Sequence, residues 1–155
     1  MATKDTGSKV QPYLFFDGRC EEALEFYRTA LKAEVQGMMR FKDNPDLGKG
    51  GEGCGSGEGC GPMPADLNKV MHASFRVGNA VIMASDGCGN GQPKFEGVSL
   101  CISAADEAEA DSLFAALAEG GQVQMPLTTT FFSPRFGMVA DRFGVSWMII
   151  VAPQQ

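Results

Sequence analysis

VQPYLFFDGRCEEALEFYRTALK, residues 10–32, changes period part-way along. Val10 to Phe16 is a short apolar and aromatic run that suits a strand, and Asp17-Gly18 ends it. From residue 21 the apolar residues take helical spacing: Ala23, Leu24, Tyr27 and Leu31 share a face, with Phe26 beside them. Glu21, Glu22 and Glu25 stand where a helix dipole favours negative charge. The reading is a strand followed at once by a helix, from Arg19 or Cys20 to Lys32. The change recurs in VSLCISAADEAEADSLFAALAEGG, residues 98–121. There Val98, Leu100 and Ile102 form one face of a strand over Val98–Ser103. Ala110, Leu113, Phe114 and Leu117 turn inward on a helix over Asp106–Glu119, and Gly120-Gly121 stops it.

The likeness extends beyond each helix. After the first come a strand over Val35–Phe41 and then Lys42 to Asp66, rich in glycine and too poor in apolar residues to pack as an element. We read this stretch, broadly residues 42–68, as a long mobile insertion between strands. Met71, Ala73, Phe75 and Val77 then alternate with His72, Ser74 and Arg76, the period of a half-buried strand. Gly78-Asn79 suits a hairpin turn, Ala80–Ser85 returns, and Asp86–Lys94 is a Gly-rich linker. After the second helix come a short strand over Gln122–Met125, a loop over Pro126–Pro134, and strands over Phe136–Ala140 and Ser146–Ala152. Asp141-Arg142-Phe143-Gly144 joins the last two as a tight turn. The order is strand, helix, three strands, twice over, with each helix starting roughly ten residues after its strand, a sign of internal repetition.

The 155 residues suit one domain with a substantial core. The expected organisation is a lead-in over residues 1–9, read as disordered, and one domain over 10–152. Its first module runs over 10–86 and its second over 97–152. Hydrophobic residues make up 44% and charged residues 21%, as in ordinary globular proteins. A net charge of −6 gives no general attraction for nucleic acid or anionic membrane. No apolar run approaches a membrane span, and the polar N-terminus lacks a signal-peptide core. Five cysteines, an odd count at irregular spacing, argue against a secreted disulfide framework, so the expected compartment is the cytoplasm.

Several stretches together resemble the PhnB-like branch of the vicinal-oxygen-chelate superfamily, which includes glyoxalase I, bleomycin-resistance proteins and extradiol dioxygenases. They are Pro12 to Gly18 with Cys20 and Ala23 to Tyr27; Met71-His72-Ala73; Met83 to Asp86; Val123 to Leu127 through Thr130-Phe131-Phe132; and Phe136-Gly137 with Asp141 to Val145 and Trp147-Met148-Ile149. The resemblance implies an α+β fold of paired βαβββ modules whose sheets curl into cups, in a homodimer. Some members are described as ubiquinone-precursor methyltransferases, yet no glycine fingerprint stands between a strand and a helix, where a Rossmann-type site for a methyl donor needs it. Metal-dependent members converge His, Glu or Gln from four strands. The matching positions here are Gln11 or Pro12, Met83, Ser99 and Met148. Thioethers and a hydroxyl are poor ligands for a hard divalent ion, so no such metal and no other cofactor is expected.

If Ser99 and Met148 face a cup, strand alternation sends Val98, Leu100, Trp147 and Ile149 toward the helices. The same parity puts His72, Ser74 and Arg76 in the cup, with Cys101 and Ser103; Gln11 and Tyr13 join them in the matching register, and Met83 is counted with them as a ligand-contact candidate. That set suits a small polar or anionic ligand with an apolar part. His72, the one histidine, is either a general base or ligand anchor or a structurally bonded strand residue. Arg76 either grips a carboxylate or phosphate or is a surface arginine. Cys101 is either a cup residue or a buried small one. Cys54, Cys60 and Cys88 match no standard zinc spacing; they are a soft-metal or redox set, or incidental thiols. The loop Thr128 to Phe132 is a lid, a core anchor, or in part both. Most methionines read as core filler. Three functions stay open: a metal-independent small-molecule-binding protein with unassigned chemistry, a metal-dependent lyase, isomerase or dioxygenase, and a drug-sequestering protein. Whether a bond is broken is open in the first.

Overall fold

The computed structural model describes residues 9–45, 66–87 and 93–153. Most of the lead-in, most of the glycine-rich insert, and Cys54, Cys60 and Cys88 lie outside these. The chain divides into two compact units at Pro93 and Lys94.

The first unit holds β1 (Tyr13–Phe15), α1 (Cys20–Ala30), β2 (Glu34–Arg40), β3 (Val70–Val77) and β4 (Ala80–Ser85), with a 3₁₀ turn at Phe41–Asp43. Its sheet has the order β1-β4-β3-β2, with β1 parallel to β4 and the other pairs antiparallel. The second unit holds β5 (Leu100–Ala104), α2 (Glu107–Ala118), β6 (Gln122–Thr128), β7 (Phe136–Ala140) and β8 (Ser146–Val151). Its order is β5-β8-β7-β6, with β5 parallel to β8. The same topology twice is the repeat the sequence suggests. Each sheet is curled but unclosed, and the helix of its own unit packs on one face.

The helical stripe of α1 does what its spacing demands. Cys20, Ala23, Leu24 and Tyr27 are buried, and Tyr27 stacks on Phe75 of β3 with ring centroids 5.5 Å apart. Phe16 closes on Tyr27 at 6.2 Å. Arg19 at the N-cap supplies no capping side chain. Asp86, just past β4, takes that role from across the unit: its Oδ1 accepts the Gly18 and Cys20 N–H groups at 2.7 and 2.8 Å, and its Oδ2 accepts Val70 N–H at 2.8 Å. A carboxylate at exposed helix-start donors satisfies groups with no intrahelical partner and meets the positive end of the dipole. Asp86, which in sequence looks like the start of a linker, is thus a buried tie between α1 and β3.

In the second unit Asp106 caps α2 by accepting Glu109 N–H at 2.7 Å, and Glu109 reaches back to Ala105 N–H at 2.6 Å. Ala110, Phe114 and Leu117 are buried against the sheet; Leu113 is only partly so. Trp147, Ile149 and Val139 form the buried side of β8 and β7. Asp141 holds the β7–β8 turn: Phe143 and Val145 donate backbone N–H groups to its Oδ1 at 2.8 and 3.1 Å, and the Trp147 indole donates to Oδ2 at 2.9 Å.

Four sequence expectations need correction. β1 is shorter than Val10–Phe16, because Pro12 offers no N–H for pairing and Val10 lies in solvent. β5 starts at Leu100, and Val98 is 64% exposed instead of facing the helix. β6 runs on to Thr128 through Pro126, which an edge strand with bulges tolerates. The methionines are not core filler: among the described residues none is buried.

Candidate functional site

The face of the first sheet turned away from α1 carries the residues that alternation assigns to it. Tyr13, Met83, Ser74 and Gly37 align as one row across β1, β4, β3 and β2. His72 stands one row along, opposite Met39. Here the β1–β4 pairing has a chemical result, because it sets Tyr13 within reach of His72, two strands away across β4. The Tyr13 hydroxyl lies 3.2 Å from His72 Nδ1, and their rings are 5.7 Å apart. Phe15 packs on Tyr13 at 4.9 Å. Tyr13, Phe15, His72 and Met39 are all exposed. With Nδ1 engaged by the phenol, Nε2 is the ring nitrogen left for a ligand.

Arg76 is also exposed, but it has a partner. Its guanidinium meets the Glu34 carboxylate at 2.5 Å across the β2–β3 pair. Sequence reasoning missed Glu34, which stands at the first position of an edge strand whose register only pairing reveals. Exposed ion pairs are worth about 0–1 kcal/mol, so Glu34 holds Arg76 only weakly.

In the second unit the matching face carries Cys101, Met148 and Met138 in register across β5, β8 and β7. Ser99 lies just before β5. Its hydroxyl donates to Ser146 Oγ at 2.8 Å, which donates on to Gln124 Oε1 at 3.0 Å. These three residues, with Met138, line a cavity of about 440 Å³. Ser146 was legible, since it shares parity with Met148. Gln124 was not, because a bulge between Val123 and Met125 shifts its side. Cys101 is exposed, so its reading as a buried small residue is corrected. Partial burial still pushes its thiol pKa up. Cys20 is the inert thiol: burial first, then the charges of Asp86 and Glu21, push it to about 12.

Phe132 meets Phe136 edge-on at 5.1 Å, a partial anchor for the β6–β7 loop. Phe131 is fully exposed, so it is no core anchor within its own unit. Gln11 is half-buried, and Gln11, Met83, Ser99 and Met148 supply no carboxylate or imidazole. Among the described residues no three His, Cys, Asp or Glu side chains are grouped to hold a metal ion. The donors at the family's metal positions therefore do not fit a hard divalent ion. Also among the described residues, no helix is long and apolar enough to cross a membrane.

A family model described as 3-demethylubiquinone-9 3-methyltransferase matches residues 58–150. Protein YjdN of Escherichia coli (strain K12) is 33% identical over 147 residues, covering 94% of this chain and 97% of YjdN. The solved structure of protein PA1353 from Pseudomonas aeruginosa superposes with a TM-score of 0.77 at 38% identity, over 96% of this chain and 100% of that one. A PhnB protein from Bacillus cereus gives 0.70 at 29% identity, over 94% and 100%. A glyoxylase/bleomycin resistance protein/dioxygenase domain from Frankia sp. EAN1pec, at 15% identity and a TM-score of 0.64 over 96% and 98%, shares the fold. The chain belongs to the PhnB-like family described as 3-demethylubiquinone-9 3-methyltransferase, and its fold is that of the glyoxalase and bleomycin-resistance proteins.

Proposed function

We propose that this chain is a small-molecule-binding protein that works without a hard divalent metal, takes its ligand on the open sheet faces, and acts as a cytoplasmic homodimer. The observation that carries the binding reading is the Tyr13–His72 pair, 3.2 Å from hydroxyl to Nδ1 on an exposed strand face. A phenol that holds one imidazole nitrogen orients the ring, and the second nitrogen then meets a ligand without first losing rotational freedom. Phe15 and Met83 supply apolar contact beside it, and Ser74 a hydroxyl. Arg76 adds a cation for an acidic group. Unpaired Cys20 and Cys101 suit a reducing compartment. The exposed Tyr13, Phe15, Met39 and Phe131 favour a second copy as cover.

Methyl transfer, which the family description names, finds no support in the chain's architecture. Among the described residues neither unit has the doubly wound parallel sheet with a glycine-rich first turn that builds a Rossmann-type cofactor site. Fold likeness does not by itself carry an activity.

The test is a thermal-shift screen of small metabolites, since a ligand at a hundredfold its Kd adds about 2.7 kcal/mol to stability. A true ligand raises Tm of the parent, loses its effect on His72→Ala, and binds more weakly to Tyr13→Phe. An acidic ligand also weakens on Arg76→Ala. A compound that stabilises all four proteins equally sinks the assignment.

A further inference from the structure

In the second unit Met148, at one of the family's metal positions, stands in one cross-strand row with two other sulfur side chains. Cys101 of β5 pairs in register with Met148 of β8, and Met148 pairs with Met138 of β7. Neighbouring strands lie about 4.7–4.9 Å apart. All three belong to one face. Their neighbours Trp147, Ile149 and Val139 are buried on the other side, whereas Met148 and Met138 are half-buried and Cys101 is exposed. Thioethers on three-bond stems can adjust to a common centre. The adjacent row on one side is Ser103, Ile150 and Phe136. On the other side are Ser99, Ser146 and Gln124, already bonded to one another. Glu96 lines the same cavity as Met138.

We propose that Cys101, Met148 and Met138 form a binding site for a soft monovalent metal ion, copper(I) in particular. Thiolate and thioether donors that reject hard cations are the donors copper(I) prefers. One thiolate and one monovalent cation are together neutral, so the pair adds no uncompensated charge to a sheet face where both methionines are half-buried. The thiol is protonated when free, so binding forms the S–Cu bond and breaks S–H, and releases one proton to solvent. The site is independent of the Tyr13–His72 reading, because it lies on the other sheet.

The experiment uses the full chain with Cys54, Cys60 and Cys88 replaced by Ser, so that Cys101 is the one accessible thiol beside buried Cys20. Copper(I) is presented anaerobically from a coloured chelator, and chelator release and proton release are followed together. The expected result is one equivalent of copper(I) and one proton per chain, both lost in Cys101→Ser. Met148→Leu and Met138→Leu conserve volume and so preserve the fold. Each should weaken binding by about tenfold or more, the scale on which disturbed metal sites respond. Circular dichroism confirms that the variants are folded. Failure to compete with the chelator overturns the proposal. So does binding that needs Cys101 but is indifferent to both methionines, since that is an ordinary thiol, and so does equal affinity for zinc(II).

Discussion

Asp86 illustrates how a single side chain can organise a unit without any local sign of it. Three backbone N–H groups, from Gly18, Cys20 and Val70, end on its carboxylate. Replacing it with Ala strands those donors at a buried junction. Buried unsatisfied groups each cost about 1–3 kcal/mol, so Asp86→Ala should lower stability by about 3 kcal/mol or more in a urea titration. Cys20 gives a second test at this scale. Its thiol is held up at about 12 against an ordinary 9.0, so the folded chain keeps a proton that the unfolded chain gives up. The stability this reflects is present below pH 9 and is lost as pH rises toward 12. Urea midpoints should therefore fall across that window, and less steeply in Cys20→Ala. The side chains assigned to the open faces were legible because alternation needs only the strand. Their partners were not. Glu34, Tyr13 as the neighbour of His72, and Asp86 all answer to residues on other strands, and one chain read end to end contains no pairing register.

At the scale of elements, both helices and seven of the eight strands among the described residues stand close to where periodicity puts them. The ends differ where a single residue overrides the pattern, as Pro12 does before β1. The eighth, β6, looks shorter in sequence because Pro126 reads as a breaker, although an edge strand with a bulge can hold it. Packing between elements is less forgiving than their extent. Gly137 of β7 faces α2, and a Cβ there would stand 2.8 Å from the Phe114 ring and 3.1 Å from Leu127 Cα. The backbone of β6 cannot yield as a side chain can. Gly137→Ala should cost about 1–3 kcal/mol, the usual range for overpacking, measured by thermal or chemical denaturation.

For the whole molecule, the proposal of a homodimer makes a direct prediction. Sedimentation equilibrium should give twice the chain's 16.5 kDa. Phe15→Asp, which puts a charge among exposed apolar side chains, should shift the population toward monomer; a monomeric parent would remove the proposal. The repeated strand order has a further consequence, in time instead of space. In each unit the first strand made pairs with the last, so neither sheet can be completed until its final strand leaves the ribosome. The wait is unequal. Gly18 must meet Asp86 across 68 residues, whereas Ser99 meets Ser146 across 47. Much of the difference is the glycine-rich insert. Closure entropy grows only with the logarithm of loop length, about 0.6 kcal/mol per doubling. The longer connection in the first unit therefore slows the search for β4 by β1 while adding little to the closure entropy. The second unit should therefore reach its native topology sooner after synthesis than the first.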